Sequence, residues 1–133
     1  MNTNNLSRWT IFIFGLLAFL LGLIGLRKPK LLLKSMGFEA AEPEERASHD
    51  YTPVFLLASS MASVNMGIYY MLTAVTNFRQ FFVWTVPFRL VTFSVFTAAV
   101  LRGYAPVRFI GVAVWELVGA LATGWALRRE NNE

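Results

Sequence analysis

Apolar residues in this chain gather in four long runs, at 9–26, 53–75, 81–101 and 109–127, separated by short polar stretches. Each run matches the roughly 17–25 residues that a membrane-crossing helix needs. In hydrocarbon every backbone N–H and C=O must find its partner within the segment, so runs of this kind take the form of helices. The pattern predicts an all-α, integral membrane four-helix bundle, with residues 1–133 as a single transmembrane domain.

The positions inside and between the runs add detail. In the first run Gly15, Ala18, Gly22 and Gly25 fall on one helical face. Small residues let backbones approach closely, so this face is expected to meet a helix of the same chain, a second copy or a larger membrane complex. The end of the run lacks a small-x-small cleavage pattern, which favours a retained helix over a signal peptide. Arg27-Lys28-Pro29-Lys30 ends it. Residues 31–38 are apolar and basic but too few to span, and predict a short interfacial segment with lysines at headgroup level. Pro43 followed by acidic residues predicts a short helix start, running through His49 and Asp50 into the second run and bending near Pro53. There Ala58, Ala62, Asn65 and Tyr69 share a face, with Ser59 and Ser63 beside it. The tight connection 76–80 predicts that the second and third runs are antiparallel neighbours. Pro87 predicts a kink in the third run, where Thr85, Arg89 and Thr92 share a face. In the fourth run Ala113, Glu116, Ala120 and Thr123 do so.

Composition sharpens the class. Of 133 residues, 56% are hydrophobic and only 15% charged, against about 45–50% and 25% in soluble domains. A soluble enzyme is excluded. There is no cysteine and one histidine, His49, so thiolate metal sites, iron–sulfur clusters and disulfides are excluded. No metal or redox cofactor is implied. The net charge of +4 lies in flanks and connections, as suits anionic lipid. Without a Gly-rich phosphate loop or exposed aromatics among the basic residues, it does not indicate nucleic acid. Arg27, Lys28, Lys30, Lys34, Arg46, Arg102 and Arg108 lie in the first and third connections, against Arg8, Arg79, Arg128 and Arg129 on the other side. The positive-inside rule places those two connections in the cytoplasm and both termini outside, in what is expected to be a bacterial inner membrane.

The chemistry concentrates on two ionisable residues inside the runs, Arg89 and Glu116. Each is costly in hydrocarbon, by about 2.5–3.5 kcal/mol on insertion scales, and normally faces the bundle and finds a partner. At about 1.5 Å per residue, Asn65 and Arg89 lie about 18 Å below the surface formed by the first and third connections, and Glu116 about 12 Å. The sequence thus predicts a cluster of Asn65, Arg89 and Glu116 near mid-membrane, with Ser63, Tyr69, Thr85 and Thr92 around it. Three readings of the charged pair stay open: a structural ion pair locking two helices, a ligand or substrate site, and a contact to a second subunit. His49 beside Asp50 at the membrane edge is a further candidate, read by default as a solvated helix end. Trp9, Trp84 and Trp125 read as interface anchors. Trp115, deeper and next to Glu116, is expected to line a groove or pack between helices.

As an enzyme on a lipid, sterol or isoprenoid substrate, of isomerase, cyclase or transferase type, the chain would use Glu116 as base. Arg89 would hold an anionic headgroup or developing charge and Asn65 would orient a polar group. A small proton-coupled exporter would want a carboxylate in the first helix, which here carries no charge. The reading that best suits so little soluble mass is an accessory subunit, or a binder of a hydrophobic or lipid ligand within the bundle. The sequence Gly22-Leu23-Ile24-Gly25-Leu26-x-x-Pro29, followed by an amphipathic connector and three closely spaced helices, resembles the small four-helix DoxX-like membrane proteins, many of unknown function. The likeness covers most of the chain in layout. It implies a four-helix membrane bundle and carries over no catalytic residue.

Overall fold

A computed structural model describes residues 5–132. Among them the architecture is all-helical: α1 (Leu6–Arg27), α2 (Pro29–Ser35), α3 (Thr52–Val75), α4 (Arg79–Leu101) and α5 (Ile110–Glu130), with 3-10 turns at Pro43–Glu45 and Val107–Phe109. Four helices are long and apolar enough to cross a membrane, and α2 is the short segment between the first two of them. The helices outrun the apolar windows. α1 begins at Leu6 and α5 continues to Glu130, because hydropathy falls at the interface while backbone hydrogen bonding continues into it.

The glycine face of α1 decides the first packing. α1 lies along α3 in the most extensive helix pair of the chain. A Cβ added at Gly15 would stand 2.8 Å from the carbonyl oxygen of Gly67, and one at Gly67 2.6 Å from that of Gly15. Gly22 lies against the backbone of Ser60 and Val64, and Gly25 against the Ser60 side chain. The glycines of the small-residue stripe are therefore packed against α3 within the chain.

On its other side α1 packs on α5, and α5 packs on α4. The order across the bundle is α3, α1, α5, α4. The second and third spans are thus not packed neighbours, contrary to the expectation from their short connection. Their rings touch near the turn, where Tyr70 meets Phe81 edge-on at 5.0 Å, but the helices do not pack along their lengths. A tight turn fixes only where two helices start. Which faces permit close approach decides the neighbours, and α3 spends its Gly67 face on α1.

Helix ends are made by local chemistry. α3 ends in a Schellman arrangement: Phe78 donates to the carbonyl of Thr73 at 2.9 Å and Asn77 to that of Ala74 at 3.3 Å. Asn77 sits at φ 54°, a left-handed conformation that Asn tolerates better than most residues. α2 ends the same way at Gly37, φ 86°, where a side chain would also meet Cβ of Arg108. The helix expected through His49 and Asp50 is not present. The Asp50 carboxylate instead accepts from the backbone N–H of Thr52 at 2.9 Å and from its hydroxyl, and α3 starts there, with Pro53 in its first turn. α4 is continuous through Pro87, whose missing N–H leaves the carbonyl of Val83 without its intrahelical donor.

All four spans meet at the end that carries the termini. Ile11, Ala74, Phe82 and Leu127, one from each, form the buried core cluster there. Glu130 closes it. Its two oxygens accept from the N–H of Ser7 at 2.8 Å, the Ser7 hydroxyl at 2.7 Å and Arg79 Nη1 at 2.8 Å. Arg79 also donates to the Asn131 side chain at 2.7 Å. Arg8 donates to the carbonyls of Ala74 and Val75, placing a cation on the negative end of α3.

Candidate functional site

Beyond this closed end α3 and α4 stand apart, and a cavity of about 380 Å³ lies between them. Ala62, Ser63, Met66 and Tyr70 line it from α3, and Phe88, Arg89 and Thr92 from α4. Phe14 and Ala18 of α1 and Glu116 of α5 form its back wall. Its volume is in the range of small-molecule sites. Phe88 is 72% exposed and Met66 50%, so the mouth faces sideways, toward lipid.

Arg89 lies at the bottom, 3% exposed. Its guanidinium carbon is 3.1 Å from the centre of the Phe14 ring and 5.1 Å from that of Tyr70, positions in which an aromatic face attracts a cation. Trp115 stacks on Phe14 at 4.5 Å. Two flat groups cannot share one ring face, so Phe14 is held between the arginine and Trp115. Gly119 makes room for this arrangement, since a Cβ there would collide with Arg89 Nη1 and Phe14.

Three nitrogens of Arg89 carry hydrogen-bond donors, and among the described residues none meets an acceptor. Glu116 Oε2 is 3.8 Å from Arg89 Nε. That separation serves charge compensation but is too long for a hydrogen bond. Glu116 in turn accepts no hydrogen bond among the described residues. Buried polar groups are paired in the great majority of cases, so a guanidinium with every nitrogen unmet is the outstanding anomaly of the molecule.

The structure brings together part of the predicted cluster. Arg89, Glu116, Thr92 and Ser63 line the cavity. The hydroxyls of Thr92 and Ser63 donate to the carbonyls of Phe88 and Ala18. Thr85 is buried beside them but donates to Phe82. Trp115 packs behind Phe14 and does not line the cavity. Asn65 and Tyr69 are exposed on α3 and outside the lining. They stand on the wrong face, because α3 is turned by its contact with α1. Tyr70, one residue on, takes the place expected of Tyr69.

Phe14, Met66, Tyr70 and Gly119 were not singled out by sequence. The signal that could have found Tyr70 is Gly67. Of the small residues in the second span it is the one without a side chain, and it marks the face that meets the α1 stripe. His49 is exposed, and the neighbouring Asp50 carboxylate is committed to Thr52. Those bonds hold it below the usual carboxylate range.

Fold and site together define a small four-helix membrane protein with a laterally open cavity over a charged pair. The chain matches no protein-family model, no curated protein and no solved structure. Its functional reading rests on the geometry of the cavity.

Proposed function

We propose that this protein binds a lipid-like molecule in the cavity between α3 and α4, with its polar end against Arg89 and its apolar part directed into the bilayer. The observation that carries this reading is Arg89 itself: buried, with no hydrogen bond from any of its nitrogens among the described residues, and lining a cavity that opens sideways. A purely structural pair would be expected to close to hydrogen-bonding distance, since an ion pair withdrawn from water is favourable only when its remaining donors and acceptors are satisfied. A binder is supported over an accessory subunit because the small-residue face is consumed inside the chain. It is supported over an enzyme because Asn65, the orienting group of the catalytic scheme, stands outside the cavity. The positive charge of the first and third connections supports their placement in the cytoplasm.

Native mass spectrometry of the protein released mildly from its own membrane tests the reading. Wild type should carry a lipid-mass adduct that Ala62→Phe, which fills the cavity mouth, loses. Equal adducts on both proteins, or none on either, would overturn it.

A further inference from the structure

We infer that the head group this cavity selects is neutral and bears an O–H, as in a lipid alcohol, and is held between Arg89 and Glu116. The inference rests on the lipid-binding reading above and adds the chemistry of the polar end. Two observations carry it. The first is complementarity. Arg89 offers only donors and an ionised Glu116 only acceptors, and neither makes a hydrogen bond among the described residues. A hydroxyl does both: its oxygen accepts from the guanidinium while its hydrogen goes to the carboxylate. An ether or a ketone accepts and leaves the carboxylate unmet.

The second observation is charge. Arg89 and Glu116 are the basic and the acidic side chain lining the cavity, and as an ion pair they sum to zero. A phosphate or carboxylate head would leave net negative charge in a site walled by Phe14, Met66 and Phe88, where an uncompensated charge is costly. An alcohol adds none. The geometry suits a single head and one chain. The polar pair lies deep, with Arg89 buried, while Phe88 and Met66 flank the mouth, so a tail leaves between two apolar side chains and lies among lipid acyl chains.

Nanodiscs loaded at equal mole fraction with oleyl alcohol, oleyl methyl ether, oleyl phosphate or octadecane, read by native mass spectrometry, test the inference. The alcohol should be retained about tenfold or more over the ether, the difference one hydrogen bond to a charged group makes. It should also exceed the phosphate and the hydrocarbon. Glu116→Gln removes the negative partner and leaves the site cationic, so preference should invert toward oleyl phosphate.

Best retention of the phosphate by wild type would overturn the neutral-head assignment and leave the lipid-binding reading standing. Equal retention of all four would show a cavity with no head recognition, with the same consequence. Retention of none would overturn both. The wild-type panel alone decides the matter if Glu116→Gln fails to fold.

Discussion

Among the described residues two arginine–glutamate pairs join one helix to another, and they are built on opposite plans. At the end with the termini, Arg79 Nη1 and Glu130 Oε2 are 2.8 Å apart, and Glu130 takes two further hydrogen bonds from Ser7. In the cavity, Arg89 and Glu116 are 3.8 Å apart, and neither makes a hydrogen bond among the described residues. The first pair is saturated by the protein and ties α1, α4 and α5 together where all four spans converge. The second stands where α3 and α4 part, and its donors and acceptors face a cavity. Buried charge contributes to stability when its hydrogen-bonding capacity is filled and detracts from it otherwise. One pair is thus a fastening, and the other leaves its hydrogen-bonding capacity open to a cavity.

The largest effect that could break this comparison is on stability. Glu130→Ala strands Ser7 and Arg79 and should lower unfolding stability by about 3 kcal/mol, as loss of several hydrogen bonds to a charged group does. Removing the second pair whole, with Arg89→Met and Glu116→Gln together, should leave stability unchanged or raise it by about 1–2 kcal/mol, while the lipid adduct disappears. Thermal unfolding in one detergent compares the two directly. A double variant as damaged as Glu130→Ala would make both pairs structural.

A smaller effect separates two glycines of α5. A Cβ at Gly119 collides with Arg89 and Phe14, whereas one at Gly124 meets only Val86 at an ordinary 3.6 Å. Gly119→Ala should cost about 1–2 kcal/mol through overpacking and reduce ligand retention. Gly124→Ala should gain about 0.5 kcal/mol from reduced chain entropy and leave retention alone. Similar losses in both would mean that α5 tolerates no added methyl, and that Gly119 has no special link to Arg89.

The smallest expected effect lies outside the membrane. Asp50 is held below its ordinary carboxylate range by the Thr52 hydroxyl and backbone N–H. A group depressed on folding contributes stability above its unfolded value and loses it as pH falls through the folded one. Acid should therefore loosen the start of α3 before it affects the core, visible as lower amide protection at 52, 54 and 55, relative to the intrinsic exchange rate, in wild type but not in Asp50→Asn. Identical acid sensitivity in the two proteins would remove Asp50 from that role.

Much of this was legible in the chain itself. The four spans, the interfacial segment and the charged pair follow from local rules: a backbone in hydrocarbon must be helical, and a charge there must face inward. Depth along each helix was legible too, because the rise per residue is constant, and it set Arg89 and Glu116 within reach of each other. Rotation about each helix was not. Asn65 was set at the level of Arg89 but stands, like Tyr69, on the wrong face, and Tyr70 on the right one, because the turn of α3 is set by Gly67 meeting Gly15 across about fifty residues of chain.

The order of the helices was likewise decided by tertiary packing. The tight turn at Asn77 joins α3 to α4, yet the faces that admit close approach send α3 to α1 and α4 to α5. Sequence alone determined what each segment is and how deep each polar group lies, since those depend on neighbours along the chain and on the solvent around it. Only the tertiary structure decided which faces meet and which do not, because that depends on pairs of surfaces fitting at once. The cavity over Arg89 is the space that choice left between α3 and α4.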